Sequence, residues 1–176
     1  MSSEAQVAST RISPAVLKDL KRIVGDHKPE FCFQCARCTS GCTAAKVVPE
    51  YKPHEIVIKA RLGLVDELLE SGVLWYCTGC MKCKEFCPQD VAPFDVVTAL
   101  KNIAVEKGIE PPKLLKEMAE SVAEIGFIYG PMEVVTRDFE AVDRESLGLG
   151  PLWKPFNLEK FREQVLKHGL GTVVRG

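Results

Sequence analysis

Along most of the chain, apolar residues recur at helical rather than alternating spacing, and the same punctuation recurs with them. In SPAVLKDLKRIVG, Ser13 reads as an N-cap and Pro14 as the first helical residue. Val16, Leu17, Leu20, Ile23 and Val24 then form one face, which Gly25 ends. KPHEIVIKARLGLVDELLESG repeats the device. Pro53 starts a helix carrying Ile56, Val57 and Ala60, Gly63 breaks it, and a short helix follows around Leu64 to Leu69. APFDVVTALKNIAVEKG does so again, with Phe94, Val96, Val97, Leu100, Ile103 and Ala104 before Gly108. PPKLLKEMAESVAEIG adds a helix with Leu114, Leu115, Met118, Val122 and Ile125 on one face. From Tyr129 to Phe156 the period is lost among Gly and Pro breaks, so this stretch reads as an extended arm. Asn157 caps a last helix through Phe161, Val165 and Leu166, ending at Gly169. No segment alternates convincingly as a strand, so the fold class is mainly α.

The expected organisation is a flexible polar lead-in at 1–12, a helical domain at 13–127, and a C-terminal arm and helix at 128–176. The arm offers Tyr129, Trp153 and Phe156 to a docking partner. With 176 residues the chain has room for one modest core but hardly for two enzyme domains. The balance of 23 basic and 24 acidic residues gives no electrostatic case for nucleic acid or an anionic membrane. The first residues lack a basic then apolar secretory pattern, and no apolar run approaches the ~18 residues of a spanning helix. A cytoplasmic location without direct membrane insertion is expected.

The chemistry lies in eight cysteines set in two matching runs. CFQCARCTSGC places Cys32, Cys35, Cys38 and Cys42, and CTGCMKCKEFCP places Cys77, Cys80, Cys83 and Cys87, each 45 positions after its counterpart. In a reducing compartment such a set points to metal rather than to disulfides. Three thiolates stepping every third residue, then a fourth, is the bacterial pattern for a [4Fe-4S] cluster, and in two-cluster proteins the fourth cysteine serves the other cluster. On that pattern Cys32, Cys35, Cys38 and Cys87 hold one cluster, and Cys77, Cys80, Cys83 and Cys42 the other. Two four-thiolate zinc sites are the plainer alternative, but zinc usually pairs separate C-x2-C hooks. Each cysteine loop precedes a Pro-started helix, PHEIV beside PFDVV, so the repeat comprises two loop-and-helix units. Thr43 follows Cys42 where Pro88 follows Cys87, a change at a non-ligand position that reads most simply as a helix start. Arg37, Lys82 and Lys84 sit inside the loops, either as offsets to cluster charge or as solvated surface. His27, His54 and His168 follow no ligand spacing and read as structural or surface residues. No dinucleotide, P-loop or nucleophile-elbow motif occurs and no cysteine is spare, so the chain carries no catalytic residue or substrate site of its own.

These runs, with PHEIVIKARLGL, LWYCTGCMKCKEFCPQDV and the closing RESLGLGPLW and NLEKFREQVLKHGL, resemble the C subunit of heterodisulfide reductase over roughly residues 13–170. The resemblance implies an α-helical ferredoxin with two [4Fe-4S] clusters, acting as the electron-transfer subunit of a multisubunit oxidoreductase complex. In that family, electrons pass from a flavin-containing iron-sulfur A subunit to a B subunit, which reduces the mixed disulfide of coenzymes M and B in methanogenesis. A larger assembly with a hydrogenase or formate dehydrogenase goes with it. Similar relay proteins serve sulfur-oxidising and acetogenic complexes, and the chain's motifs leave that endpoint open. The cysteine-rich CCG motif of the B subunit is absent, as a relay subunit requires.

Overall fold

The computed structural model describes residue 12 and residues 14–25 and 29–174, so Ser13, His27 and the lead-in lie outside the described residues. The chain divides into two compact units at Ile109/Glu110. The first contains α1 (Pro14–Val24), α2 (Arg37–Ser40), α3 (Thr43–Val47), α4 (Pro53–Leu62), α5 (Asp66–Glu70), α6 (Lys82–Glu85) and α7 (Pro93–Glu106). Short 3-10 turns at Pro29–Phe31 and Val73–Tyr76 lead into the two cysteine loops.

The two long helices of this unit start as the pattern requires. Pro53 and Pro93 occupy the first turn, where a missing N–H leaves no bond unmade and the fixed φ suits the helix. Gly63 ends α4 at φ 76°, a left-handed cap that disfavours side chains bearing Cβ. α4 and α7 pack on each other, with α1 and α5 also against α7. Ile56, Val57 and Ala60 of α4 meet Val96, Val97, Leu100, Ile103 and Ala104 of α7 in one buried cluster, joined by Leu68 and Leu69 of α5. Leu20 and Val24 of α1 also join it, whereas the side chains of Val16, Leu17 and Ile23 are outside the described set. Each large side chain so buried contributes roughly 1.5–3 kcal/mol, and the α4–α7 contact therefore fixes the two cysteine loops against a common core.

The second unit holds α8 (Lys113–Ile125), the strands β1 (Val134–Val135) and β2 (Ala141–Val142), α9 (Leu158–Val165), a π-helical stretch at Leu166–Leu170, and α10 (Gly171–Val174). α8 packs with α9 and α10, so it belongs with the C-terminal unit rather than with the cysteine loops. Its fully buried residues are Ala119 and Ala123, while Leu114 and Leu115, assigned by pattern to the packed face, are exposed. The buried positions of α8 are thus two small residues four apart, on one face of the helix. The arm is not wholly irregular: Val134 pairs with Val142 and Val135 with Ala141 in a small antiparallel hairpin. Its turn is closed by the Thr136 amide donating to Glu140 O and by Phe139 at φ 63°. Such a two-residue ladder is too short to leave an alternating signature. Asn157 caps α9 as expected, its Oδ1 accepting from the Lys160 amide at 2.9 Å. The helix does not stop at Gly169; the π-helical stretch carries the chain through that glycine into α10.

Candidate metal centres

The repeat seen in the cysteines extends to the backbone between them. In the first loop Gln34 and Ala36 have φ 55° and 57°, and 45 positions on, Gly79 and Met81 have φ 74° and 59°. Residues of alternating hand curl successive N–H groups toward one side, forming a concave nest for an anionic group. A left-handed residue with a Cβ costs roughly 1–2 kcal/mol, so finding it at Ala36 and again at Met81 marks the curl as a built feature. Only Gly79 gives a signal of it in the sequence. α2 begins directly after Ala36, and α6 directly after Met81.

Each loop closes one side of a cavity. The first cavity is lined by Cys32, Cys35 and Cys38, and by Cys87 from the other run, with Val91, Pro93 and His54 completing it. The second is lined by Cys77, Cys80 and Cys83, and by Cys42 from the first run, with Tyr51 and Phe94. The structure thus gathers the eight cysteines four and four, with the fourth member of each run on the far side. All eight are free thiols. Cys42 is buried, whereas Cys35 and Cys80, which occupy matching places in the two loops, are exposed.

The two halves differ by a short insertion. The cysteines repeat at 45 positions, but Pro53 and Pro93, which start the long helices, are 40 apart. The five residues of difference match α3, Thr43–Val47, which begins where Thr43 replaces the proline of the second run. With that allowance, His54 at the first cavity corresponds to Phe94 at the second, and Val91 at the first to Tyr51 at the second.

The hydrogen bonds at sulfur differ accordingly. At the first cavity, Gln34 Nε2 donates to Cys32 Sγ at 3.1 Å, and the Val91 amide donates to Cys87 Sγ at 3.3 Å. His54 Nδ1 lies 2.7 Å from Thr39 Oγ1, and its carbonyl accepts from Gln34. His54 therefore has a place at the site that its isolated position in the sequence does not disclose. At the second cavity, the buried Tyr51 hydroxyl bonds to Cys77. Burial first, then that bond, holds Tyr51 well above the usual phenol range, so it remains a neutral donor. Lys101 Nζ donates to Cys77 O at 3.2 Å and lies 5.5 Å from the centre of the Trp75 ring. Burial lowers the Lys101 pKa, with Cys77 pulling it the other way. Arg37 lines the first cavity and Lys82 the second, while Lys84 is paired with Asp95 at 2.9 Å and His168 is exposed in the C-terminal unit.

Burial pushes the Cys38 thiol up to about 11 and the Cys83 thiol to about 12. Thiols so placed ionise when a bound cation compensates the charge, and coordination removes the proton outright. The donor set fits a cluster better than single ions. Four thiolates on one zinc at ~2.3 Å would bring their sulfurs within ~3.8 Å of each other. Among the described residues no three Cys, His, Asp or Glu converge in that way. The sulfurs are instead spread around cavities whose walls also carry Val91 and Pro93, or Tyr51 and Phe94.

Comparison with known proteins gives the same chemistry. A family described as a 4Fe-4S dicluster domain matches residues 28–91. The chain is 35% identical over 132 residues to the C subunit of the H(2):CoB-CoM heterodisulfide,ferredoxin reductase of Methanothermobacter thermautotrophicus, covering 74% of this chain and 67% of that one. It is 30% identical to the C subunit of the ferredoxin:CoB-CoM heterodisulfide reductase of Methanosarcina mazei, covering 75% and 76%. It is 33% identical to an Archaeoglobus profundus protein named as like the C subunit of heterodisulfide reductase, covering 58% and 54%.

Proposed function

From a chain that belongs to the heterodisulfide reductase C-subunit family, and is thereby an iron-sulfur electron-transfer subunit of an oxidoreductase complex, we propose a two-cluster relay between a flavin-containing A subunit and a disulfide-reducing B subunit. The terminal reaction proposed is reduction of the mixed disulfide of coenzymes M and B, the substrate in the names of relatives such as those of Methanothermobacter and Methanosarcina. The location proposed is the cytoplasm; among the described residues no helix is long and apolar enough to cross a membrane.

The observation that carries this reading is the four-and-four gathering of cysteines around two cavities. Cys32, Cys35, Cys38 and Cys87 would hold one [4Fe-4S] cluster, and Cys77, Cys80, Cys83 and Cys42 the other. Each cluster would supply a one-electron carrier. The chain's own residues orient and screen it. Gln34, Val91 and Tyr51 present donors to sulfur, and Pro93, Val91 and Phe94 exclude water. Cys35 and Cys80 leave one corner of each cavity at the surface, flanked by exposed Phe33 and Met81, which suits one corner for entry and the other for exit of electrons. In the C-terminal unit Tyr129, Trp153 and Phe156 are exposed, as contacts to neighbouring subunits would be.

Anaerobic purification from native cells tests the assignment. About eight iron and eight sulfide per chain are expected, together with co-purifying A-like and B-like partners. Stoichiometric zinc in a colourless protein overturns the cluster reading, and a partnerless monomer overturns the relay. Cys42→Ser should disturb the cluster of the Cys77 loop and spare that of the Cys32 loop, and Cys87→Ser the reverse. Paramagnetic resonance of the reduced variants reads this, and disturbance confined to the variant's own loop overturns the crossed ligation.

A further inference from the structure

The surroundings of the two cavities separate into what the repeat shares and what it does not. Arg37 and Lys82 are counterparts 45 positions apart, each lining its own cavity, so their charges act alike on both sides. Lys101 has no such counterpart. The residue at its position in the other long helix, 40 positions earlier, is Arg61, which is exposed. Lys101 is half-buried, its Nζ is on Cys77 O at 3.2 Å, and Trp75 covers it. Lys52, Lys59, Lys84, Lys107 and Lys116 each have a carboxylate beside them, whereas Lys101 is in no ion pair among the described residues. A partly desolvated ammonium without a carboxylate needs another negative group nearby. On the two-cluster reading, the Cys77 thiolate and the cluster it would hold supply one, next to the Cys77 carbonyl that Lys101 already contacts.

We infer that Lys101 is the fixed countercharge of the second cavity and makes the cluster held there the more easily reduced of the two, so that electrons settle on the Cys77 side of the relay. This rests on the two-cluster reading above. Adding one electron to that site breaks no bond, and the role assigned to Lys101 requires no proton transfer; the donor is a reduced flavin or a ferredoxin-type partner. A full charge outweighs the two neutral donors of the first cavity, the Gln34 side-chain amide on Cys32 and the Val91 backbone amide on Cys87. The Tyr51 hydroxyl at Cys77 acts in the same direction as Lys101. Glu85 stands where the first loop has Ser40 and opposes it, but Glu85 is exposed and screened by water.

The test is an anaerobic redox titration of the full chain, followed by paramagnetic resonance, with the two signals assigned beforehand through Cys42→Ser and Cys87→Ser. Lys101→Met should lower the reduced-to-oxidised ratio of the Cys77-side cluster about tenfold at a fixed potential, equivalent to about 59 mV for one electron. The Cys32-side cluster should stay where it is. Lys101→Gln keeps a donor without charge and should behave like the Met variant, which also covers the case that Met disturbs assembly. Lys101→Arg should retain most of the native ratio. No shift in Met and Gln, an equal shift at both clusters, or a shift in Arg as large as in Met overturns the inference. If the native chain lacks about eight iron and eight sulfide, the two-cluster reading itself fails; full metal content with an unmoved ratio fails only the role of Lys101.

Discussion

Gly41 and Phe86 precede the fourth cysteines of their runs, 45 positions apart, and they meet. A Cβ on Gly41 would lie 2.7 and 2.8 Å from two ring carbons of Phe86, where ordinary carbon contacts are about 3.5–4.0 Å. Gly41→Ala therefore forces the ring back by about 1 Å. Gly41 has φ −85°, so no backbone strain enters. The ring is half exposed and borders an open groove lined by Arg37, Ser40, Glu85 and Pro88, into which it can swing. The cost thus falls at the low end of the overpacking range, about 1 kcal/mol, or roughly fivefold in an equilibrium or rate. Phe86 is bonded directly to Cys87, so the displacement acts on the far wall of the first cavity. Unfolding of a cluster protein is not two-state, and the suitable assay is the rate at which visible absorbance bleaches under a chelator in mild urea. Gly41→Ala should bleach about five times faster than the native chain, with the Cys32-side signal lost first. In a Phe86→Ala background the same substitution should have no effect. If Gly41→Ala accelerates bleaching equally in both backgrounds, the contact with the ring is not the cause and the reasoning fails.

Leu100→Ala, at a fully buried position of α7, removes packing of the kind worth about 2–5 kcal/mol and should show as faster bleaching under a chelator in mild urea and reduced iron content on purification; unchanged bleaching would show that this position does not support the cysteine loops. Asn157→Ala should cost α9 about 1 kcal/mol, seen as faster hydrogen exchange at the Lys160 amide, while Asn157→Asp should leave it near native. The Ser146 amide, donating to Asp143 Oδ1 at 2.8 Å, holds the Asp143 carboxyl below its ordinary 3.8. Because the folded pKa is the lower one, this turn's extra protection is complete above about pH 4 and fades as pH falls through the depressed value. Asp143→Asn should remove that acid dependence from Ser146 exchange, and an unchanged pH profile would show that the bond does not close the turn.

The helices and the cysteine runs are legible because their signals are local. Proline fixes a helix start at Pro53 and Pro93, a left-handed glycine fixes the stop at Gly63, and a three-residue step fixes each loop. What the sequence conceals depends on contacts between distant segments. The left-handed turns at Gln34, Ala36 and Met81 use residues that carry no such preference. Lys101 and His54 become part of the sites only when α7 and α4 are set against the loops. The change of spacing from 45 to 40 is present in the sequence, but its meaning requires α3 to be visible as a helix. The packed face of α8 escapes the pattern because leucine spacing measures amphipathicity, whereas close approach selects Ala119 and Ala123.

The exchange of fourth cysteines leaves each half of the first unit incomplete without the other. A single half, cut anywhere between α4 and the second cysteine loop, encloses three sulfurs in its loop and points its fourth outward, so it cannot complete a cavity by itself. Two identical halves facing each other complete both cavities at once. The first unit thus has the internal symmetry of two facing loop-and-helix motifs, each completing the other's cavity. The halves are equal only in this exchange: α3, Gln34, Tyr51 and His54 belong to the first half and Lys101 to the second, and together they give the two cavities different neighbours.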